Sequence, residues 1–424
     1  MQPASVTKSK LKARNTEIIS SRSQSKKIHS AIDDCFDTIM IAIDNPSVIH
    51  ISLQWVNEIL HTQEASLNAI IIAVLFNRLA TADFLWWEGE PTFHNEAREL
   101  LAFSLSILAI YLKKQTQHCS FVLQDYSKPH FTLRELCEIL ETLPKLPIKW
   151  QESSNKLLLN MILNKILNAL KQNEQQDRDI VMRNLPCVAS ALARLKFRPV
   201  EHEELIKYLL FNIEASAIYL FQQSRETQSQ IWQYLAVLQA RGQALSEQHG
   251  AIFEQLKLQL EQTKEMSVPQ LTQLQQGVTE QLRRLCTPEA LEDLKIEYLL
   301  GCYSMDIAFP KHKLNFEIDG KHHYLEGNIL RFSDQIRDFI LNKLEGFCVI
   351  RIPYYEWSTL LTEESRAIYL RDKLEKNYCS SILNPAQIAY AYQQQRAGRQ
   401  RLIIVRPQAV IASLVQPSTP PKPK

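Results

Sequence analysis

Tyr303-Ser304-Met305-Asp306-Ile307-Ala308-Phe309 and Leu314-Asn315-Phe316-Glu317-Ile318-Asp319 each alternate apolar and polar residues, and Pro310-Lys311-His312-Lys313 separates them. A period of two on both sides of a Pro-containing turn predicts two half-buried strands joined as a hairpin. Residues 296–300 add a strand-like run that ends at Gly301-Cys302. Downstream, Phe332, Ile336, Phe339, Ile340 and Leu344 share one face of a helix expected over residues 329–344. Residues 347–352 then read as a buried strand ended by Pro353. The order β-β-β-α-β predicts a small α/β domain over residues 293–378.

Working outward from it, the preceding sequence changes period. From about residue 28 to residue 262 apolar side chains recur mainly at helical spacing, as in Leu157, Leu158, Met161, Ile162, Ile166, Leu167 and Leu170. With only 9 glycines and 18 prolines in 424 residues, a sandwich or barrel full of tight turns is disfavoured and helices are favoured. One pattern recurs: Leu136, Ile139, Leu140, Leu143 and Leu146 are matched by Leu185, Val188, Ala189, Leu192 and Leu195, and again by Ile231, Tyr234, Leu235, Leu238 and Arg241. A period in the forties with one amphipathic helix per unit is the pattern of an α-solenoid, in which no single helix pair can bury its own apolar face. The chain is therefore divided into a basic arm (1–27), a helical repeat region (28–245), a Gln-rich helical connector (246–292), the α/β domain (293–378) and a basic C-terminal tail (379–424).

The hairpin carries the chemistry-bearing residues. Alternation places Glu317 and Asp319 on one side of their strand, and an antiparallel hairpin brings Asp306 to face them. Three converging carboxylates repel one another without a cation, so Asp306, Glu317 and Asp319 are expected to hold one or two Mg2+ ions able to activate water at a scissile phosphate. Lys321 is expected to set a positive charge beside the attacking hydroxide or the phosphate. His323 would position water or donate a proton to the leaving oxygen. In the alternative reading Asp319-Gly320 is a turn and the acids perform no chemistry. Phosphate contacts are expected from Lys311, Lys313, Arg331, Arg337, Lys343 and Arg351.

The runs Tyr303–Ala308, Phe316-Glu317-Ile318-Asp319-Gly320 with His323-Tyr324, and Leu341-Asn342-Lys343-Leu344-Glu345-Gly346-Phe347-Cys348-Val349-Ile350-Arg351-Ile352-Pro353-Tyr354-Tyr355-Glu356-Trp357 together resemble the RAP domain. The resemblance spans residues 294 to 357 plus a trailing helix near 364–376. It implies a fold similar to very-short-patch-repair endonucleases of the PD-(D/E)XK superfamily, and a role in RNA processing, stability or translation. Where RAP sequences usually have proline after Asp-Gly, this chain has Lys321, which makes Asp319-Gly320-Lys321 a (D/E)-x-K motif. The register Glu317-Ile318-Asp319 instead puts an acid at the lysine position, so which two carboxylates would bind metal stays open. Further upstream, residues 184–199 resemble the helical repeat of octotricopeptide proteins and of FAST-kinase-like organellar RNA regulators. That likeness implies that Arg194, Lys196 and Arg198 face RNA phosphates.

The expected fold class is thus mostly α: an α-solenoid-like repeat region followed by a small C-terminal α/β domain of restriction-endonuclease-like type. The net charge of +2 conceals two basic ends, which attract a polyanion. Eight scattered cysteines without a C-x-x-C pair read as reduced thiols in the cytoplasm or an organelle matrix. No apolar run reaches bilayer length, so no membrane partner is expected. Single-stranded RNA is the expected ligand, with DNA as a second candidate. The competing functions are a Mg2+-dependent endonuclease and a protein-interaction scaffold that binds no nucleic acid.

Overall fold

Apolar residues at helical spacing must be covered by neighbouring helices, and the computed structural model meets that demand by stacking one helix on the next. It describes residues 21–41, 46–62, 69–82, 94–117, 131–148, 152–174, 178–195, 202–262, 271–325, 328–377, 379–390 and 393–394. These residues form two compact units. The first draws on Met1–Glu265, Gly301–Tyr303 and Lys321–Leu344, the second on Met266–Leu300, Ser304–Gly320 and Glu345–Lys424.

The first unit opens with α1 (Ser21–Ile41), α2 (Pro46–Thr62), α3 (Ala69–Thr81), α4 (His94–Gln117) and α5 (Leu133–Thr142). It continues through α6 (Ser153–Glu174), α7 (Arg178–Arg194), α8 (Glu203–Ala215), α9 (Ala217–Phe221), α10 (Arg225–Ala240) and α11 (Glu247–Gln262). The three copies of the repeated pattern fall on α5, α7 and α10, and these helices lie side by side, α5 on α7 and α7 on α10. The apolar positions of all three copies are buried, so the repeat marks the helices that line the interior. Arg241, the polar member of the third copy, is the half-buried C-cap of α10. Sequence also sets where α5 starts: Thr132 Oγ1 accepts the Glu135 N–H at 3.3 Å, and Glu135 Oε2 accepts the Thr132 N–H at 2.7 Å, a reciprocal capping box. Among the described residues no helix is long and apolar enough to cross a membrane.

The second unit begins with α12 (Gln273–Leu285) and α13 (Pro288–Asp293), followed by β1 (Lys295–Leu300), β2 (Tyr303–Phe309) and β3 (Leu314–Asp319). The chain then forms β4 (Tyr324–Leu325), β5 (Ile329–Leu330) and α14 (Phe332–Lys343), which belong to the first unit, and closes the second with β6 (Cys348–Pro353), α15 (Tyr354–Trp357) and α16 (Glu363–Lys376). The main sheet has the order β1-β2-β3-β6. β2 and β3 are antiparallel, with Ile307 opposite Phe316 and Phe309 opposite Leu314. β6 runs parallel to β3, from Leu314 opposite Cys348 to Asp319 opposite Pro353. A parallel pair requires a long crossover, and here it is the stretch containing β4, β5 and α14. Ile307, Phe309, Phe316, Ile318, Ile350 and Ile352 share one core with Val278 and Leu282 of α12 and Leu370 and Leu374 of α16.

Three expected boundaries are corrected. Residues 329–344 are not one helix: Ile329–Leu330 pair antiparallel with Tyr324–Leu325, and the helix starts at Phe332. The hairpin bond satisfies backbone groups that an added helical turn would leave at its end. Residues 21–27, assigned to the basic arm, are helical, because extending an anchored helix is far less costly than nucleating one. The C-terminal tail begins with ordered structure: Cys286 forms a β-bridge to Leu383, and the Asn384 N–H donates to the Leu285 carbonyl at 2.7 Å.

Gly301 has φ +56°, and a Cβ at this position would lie 2.5 Å from Cζ2 of Trp232. Trp232 in turn stacks on Phe253 with centroids 5.5 Å apart and meets Tyr303 edge-on at 5.6 Å. Only glycine fits both the backbone conformation and the space.

Candidate functional site

The pleat of β3 sends Leu314, Phe316 and Ile318 to the core shared with β2, and Asn315, Glu317 and Asp319 to the other face. The expected common side of Glu317 and Asp319 follows from this register. Both carboxylates are buried, each with about 1% of its surface exposed. Glu317 Oε1 accepts a hydrogen bond from Asn315 Nδ2 at 2.7 Å. Asp319 Oδ1 accepts one from Arg351 Nη1 at 2.6 Å. Asp306, on β2, is committed to both of its neighbours: Oδ2 accepts the Ile318 N–H at 2.7 Å and Oδ1 accepts from Gln275 Nε2 at 3.0 Å. It therefore acts as a side-chain bridge between the strand edge and α12.

The cation demanded by the acidic pattern is present as Arg351. Among the described residues no group of three His, Cys, Asp or Glu side chains is arranged to hold a metal ion. Each of the three candidate ligands is already bonded to nitrogen donors, so the residues present do not fit a Mg2+ centre. Alternation along β6 could have found this, since Arg351 stands opposite Glu317 in the parallel ladder; the direction of that pairing was the missing fact. Asn315 and Gln275 gave no signal in sequence.

Lys321 and His323 fall in the first unit, whereas Asp306, Glu317 and Asp319 fall in the second. In the first unit His323 Nδ1 lies 3.3 Å from Asp334 Oδ1, and its ring is 4.2 Å from that of His322. Neither Asp334 nor His322 was singled out from sequence, though both stand within the motif region.

The expected phosphate contacts divide three ways. Lys311 and Lys313 are exposed at the β2–β3 turn, with Lys313 Nζ 4.9 Å from the Phe347 ring centroid. Lys343 is exposed in the last turn of α14, and Arg331 is the residue just before its first turn. Arg194 and Arg337 both lie in the first unit. Burial raises the Tyr303 hydroxyl well above its ordinary value, while the positive fields of Arg194 and Arg337 oppose that shift. Burial likewise pushes the Cys302 thiol up to about 11, opposed by a hydrogen bond from Gln233 and by Arg194 and Arg225. Arg194 thus acts on both residues, Arg337 on Tyr303 and Arg225 on Cys302. Lys196 and Arg198 lie outside the described residues. Every described cysteine is a free thiol.

A mixed four-stranded sheet backed by helices defines this part of the chain as a small α/β module. Residues 316–373 match the family model of the RAP domain, so the chain carries a RAP domain, a domain type that binds nucleic acid. No curated protein matches the chain.

Proposed function

We propose that the chain binds single-stranded RNA through cations supplied jointly by its helical repeats and by its RAP domain. The observation that carries this reading is the match of residues 316–373 to the RAP domain, with exposed Lys311, Lys313 and Lys343 in and beside that stretch of sequence. Guanidinium groups are suited to phosphate oxygens because they present a planar fork of donors. The octotricopeptide-like character of residues 184–199 supports the same assignment for the repeat region. RNA is preferred to DNA as the ligand because of the RAP domain.

Mg2+-dependent cleavage has less support, since the acidic face is neutralised from within by Arg351. A protein scaffold without nucleic-acid affinity predicts no salt-linked binding to RNA. Fluorescence anisotropy with a labelled single-stranded RNA distinguishes these readings. Three to five phosphate contacts should lower the affinity roughly tenfold to a hundredfold between about 50 and 200 mM salt. Arg194→Glu combined with Arg337→Glu should weaken binding further, whereas RNA binding that is absent or indifferent to salt refutes the assignment.

A further inference from the structure

The segment after β3 gathers two imidazoles and their charged neighbours in one place. Lys321–His323 forms a single 3-10 turn, with Lys321 and His322 exposed and His323 half-buried. The two rings lie 4.2 Å apart between centroids, inclined by 41°. His323 is held at several points. Its carbonyl accepts the Arg331 N–H at 3.0 Å, the β4–β5 hairpin begins at the next residue, and Nδ1 faces Asp334 at 3.3 Å. The Asp334 side chain is only 12% exposed, and Arg337 Nη2 approaches the same oxygen to 3.7 Å. A carboxylate beside Nδ1 favours the tautomer protonated there and puts the ring's lone pair on Nε2. A second, exposed imidazole stands beside it, so the pair offers one group to take a proton and one to give it.

We propose that Lys321, His322 and His323 form a metal-independent ribonuclease site acting by transesterification within the RNA strand. His323 Nε2 takes the proton of a ribose 2′-hydroxyl, and that oxygen attacks the adjacent phosphorus. The bond from phosphorus to the 5′-oxygen of the next nucleotide breaks, and His322, as imidazolium, gives its proton to the departing oxygen. The products are a 2′,3′-cyclic phosphate and a 5′-hydroxyl. One proton is gained by His323 and one lost by His322, so exchange with water restores both rings. The Lys321 ammonium offsets the charge that builds on the phosphoryl oxygens. Asp334 is a positioning residue that fixes the ring and tautomer of His323. Because the nucleophile belongs to the ribose, DNA lacks the reacting group. The inference rests on the reading of the chain as an RNA binder.

The test uses the full chain with a labelled single-stranded RNA, and with the same oligomer built on 2′-deoxyribose, in excess EDTA. Binding is measured in parallel by anisotropy. RNA alone should be cut, leaving a 2′,3′-cyclic phosphate identifiable by mass spectrometry. His323→Gln and His322→Gln should each slow cleavage by roughly a hundredfold, the usual contribution of one general acid or base. Imidazole 15N shifts should show Nδ1 of His323 protonated, and Asp334→Asn should change that signature along with the rate. RNA that is bound and not cut overturns this proposal and leaves the binding function standing; RNA that is not bound overturns both. Cleavage that needs Mg2+, yields a 5′-phosphate or survives both histidine substitutions also overturns it.

Discussion

Arg351 Nη1 reaches diagonally across the parallel β3–β6 pair to Asp319 Oδ1 at 2.6 Å, although the residue directly opposite Arg351 is Glu317. The side chains are 12% and 1% exposed, so this ion pair sits where solvent screens little. Its role follows from its burial: it keeps an acidic strand from expelling its own charges.

Arg351→Leu should therefore destabilise the second unit by about 3–5 kcal/mol, the usual cost of removing one partner from a buried pair. Urea denaturation measures the loss. The double variant Arg351→Leu, Asp319→Leu should recover part of it, and an unchanged midpoint in the single variant would contradict the assigned role.

Gly301→Ala should destabilise the first unit by roughly 1–3 kcal/mol from overpacking against Trp232, on top of about 1 kcal/mol for a left-handed backbone. Because Trp232 stacks on Phe253, a change in near-UV circular dichroism should accompany the lower melting temperature.

Lys311 and Lys343 are exposed, and the RNA-binding proposal has them meet phosphates without contact to bases. Lys311→Gln and Lys343→Gln should each weaken binding about equally for unrelated RNA sequences and reduce the salt slope by about one unit. A sequence-selective loss would place the side chain at a base instead.

Glu356 supplies a pH dependence. Burial alone would raise its carboxyl, but hydrogen bonds from Lys373 and Tyr369 and the nearby positive charge of Lys373 hold it below its usual range. A folded-state value below the unfolded one contributes stability that is complete above the ordinary value of 4.5 and is lost as the pH falls through the lower, folded value. Urea midpoints across that acid range should decline less steeply in Glu356→Gln than in the parent chain.

Much of the RAP module was legible because its signals are local. The alternation in Leu314–Asp319 directly reports a strand with two faces, and the turn at Pro310–His312 closes the hairpin where the proline predicted it. The upstream helices were legible because Leu185, Val188 and Leu192 must be buried by neighbouring helices. What sequence could not supply was long-range pairing. The acids were read as Mg2+ ligands, whereas Asp319 meets Arg351, a contact that depends on a parallel ladder between residues 32 positions apart. The link between His323 and Asp334 was missed for a related reason: it depends on the β4–β5 hairpin, whose two-residue strands are too short to leave a periodic trace.

The excursion Lys321–Leu344 belongs by its contacts to the helical unit, where α14 packs on α7 and α10. A fragment excised at the family boundary would carry this helix away from the surface that shelters Ile336, Ile340 and Leu341, exposing a sticky stripe in the test tube.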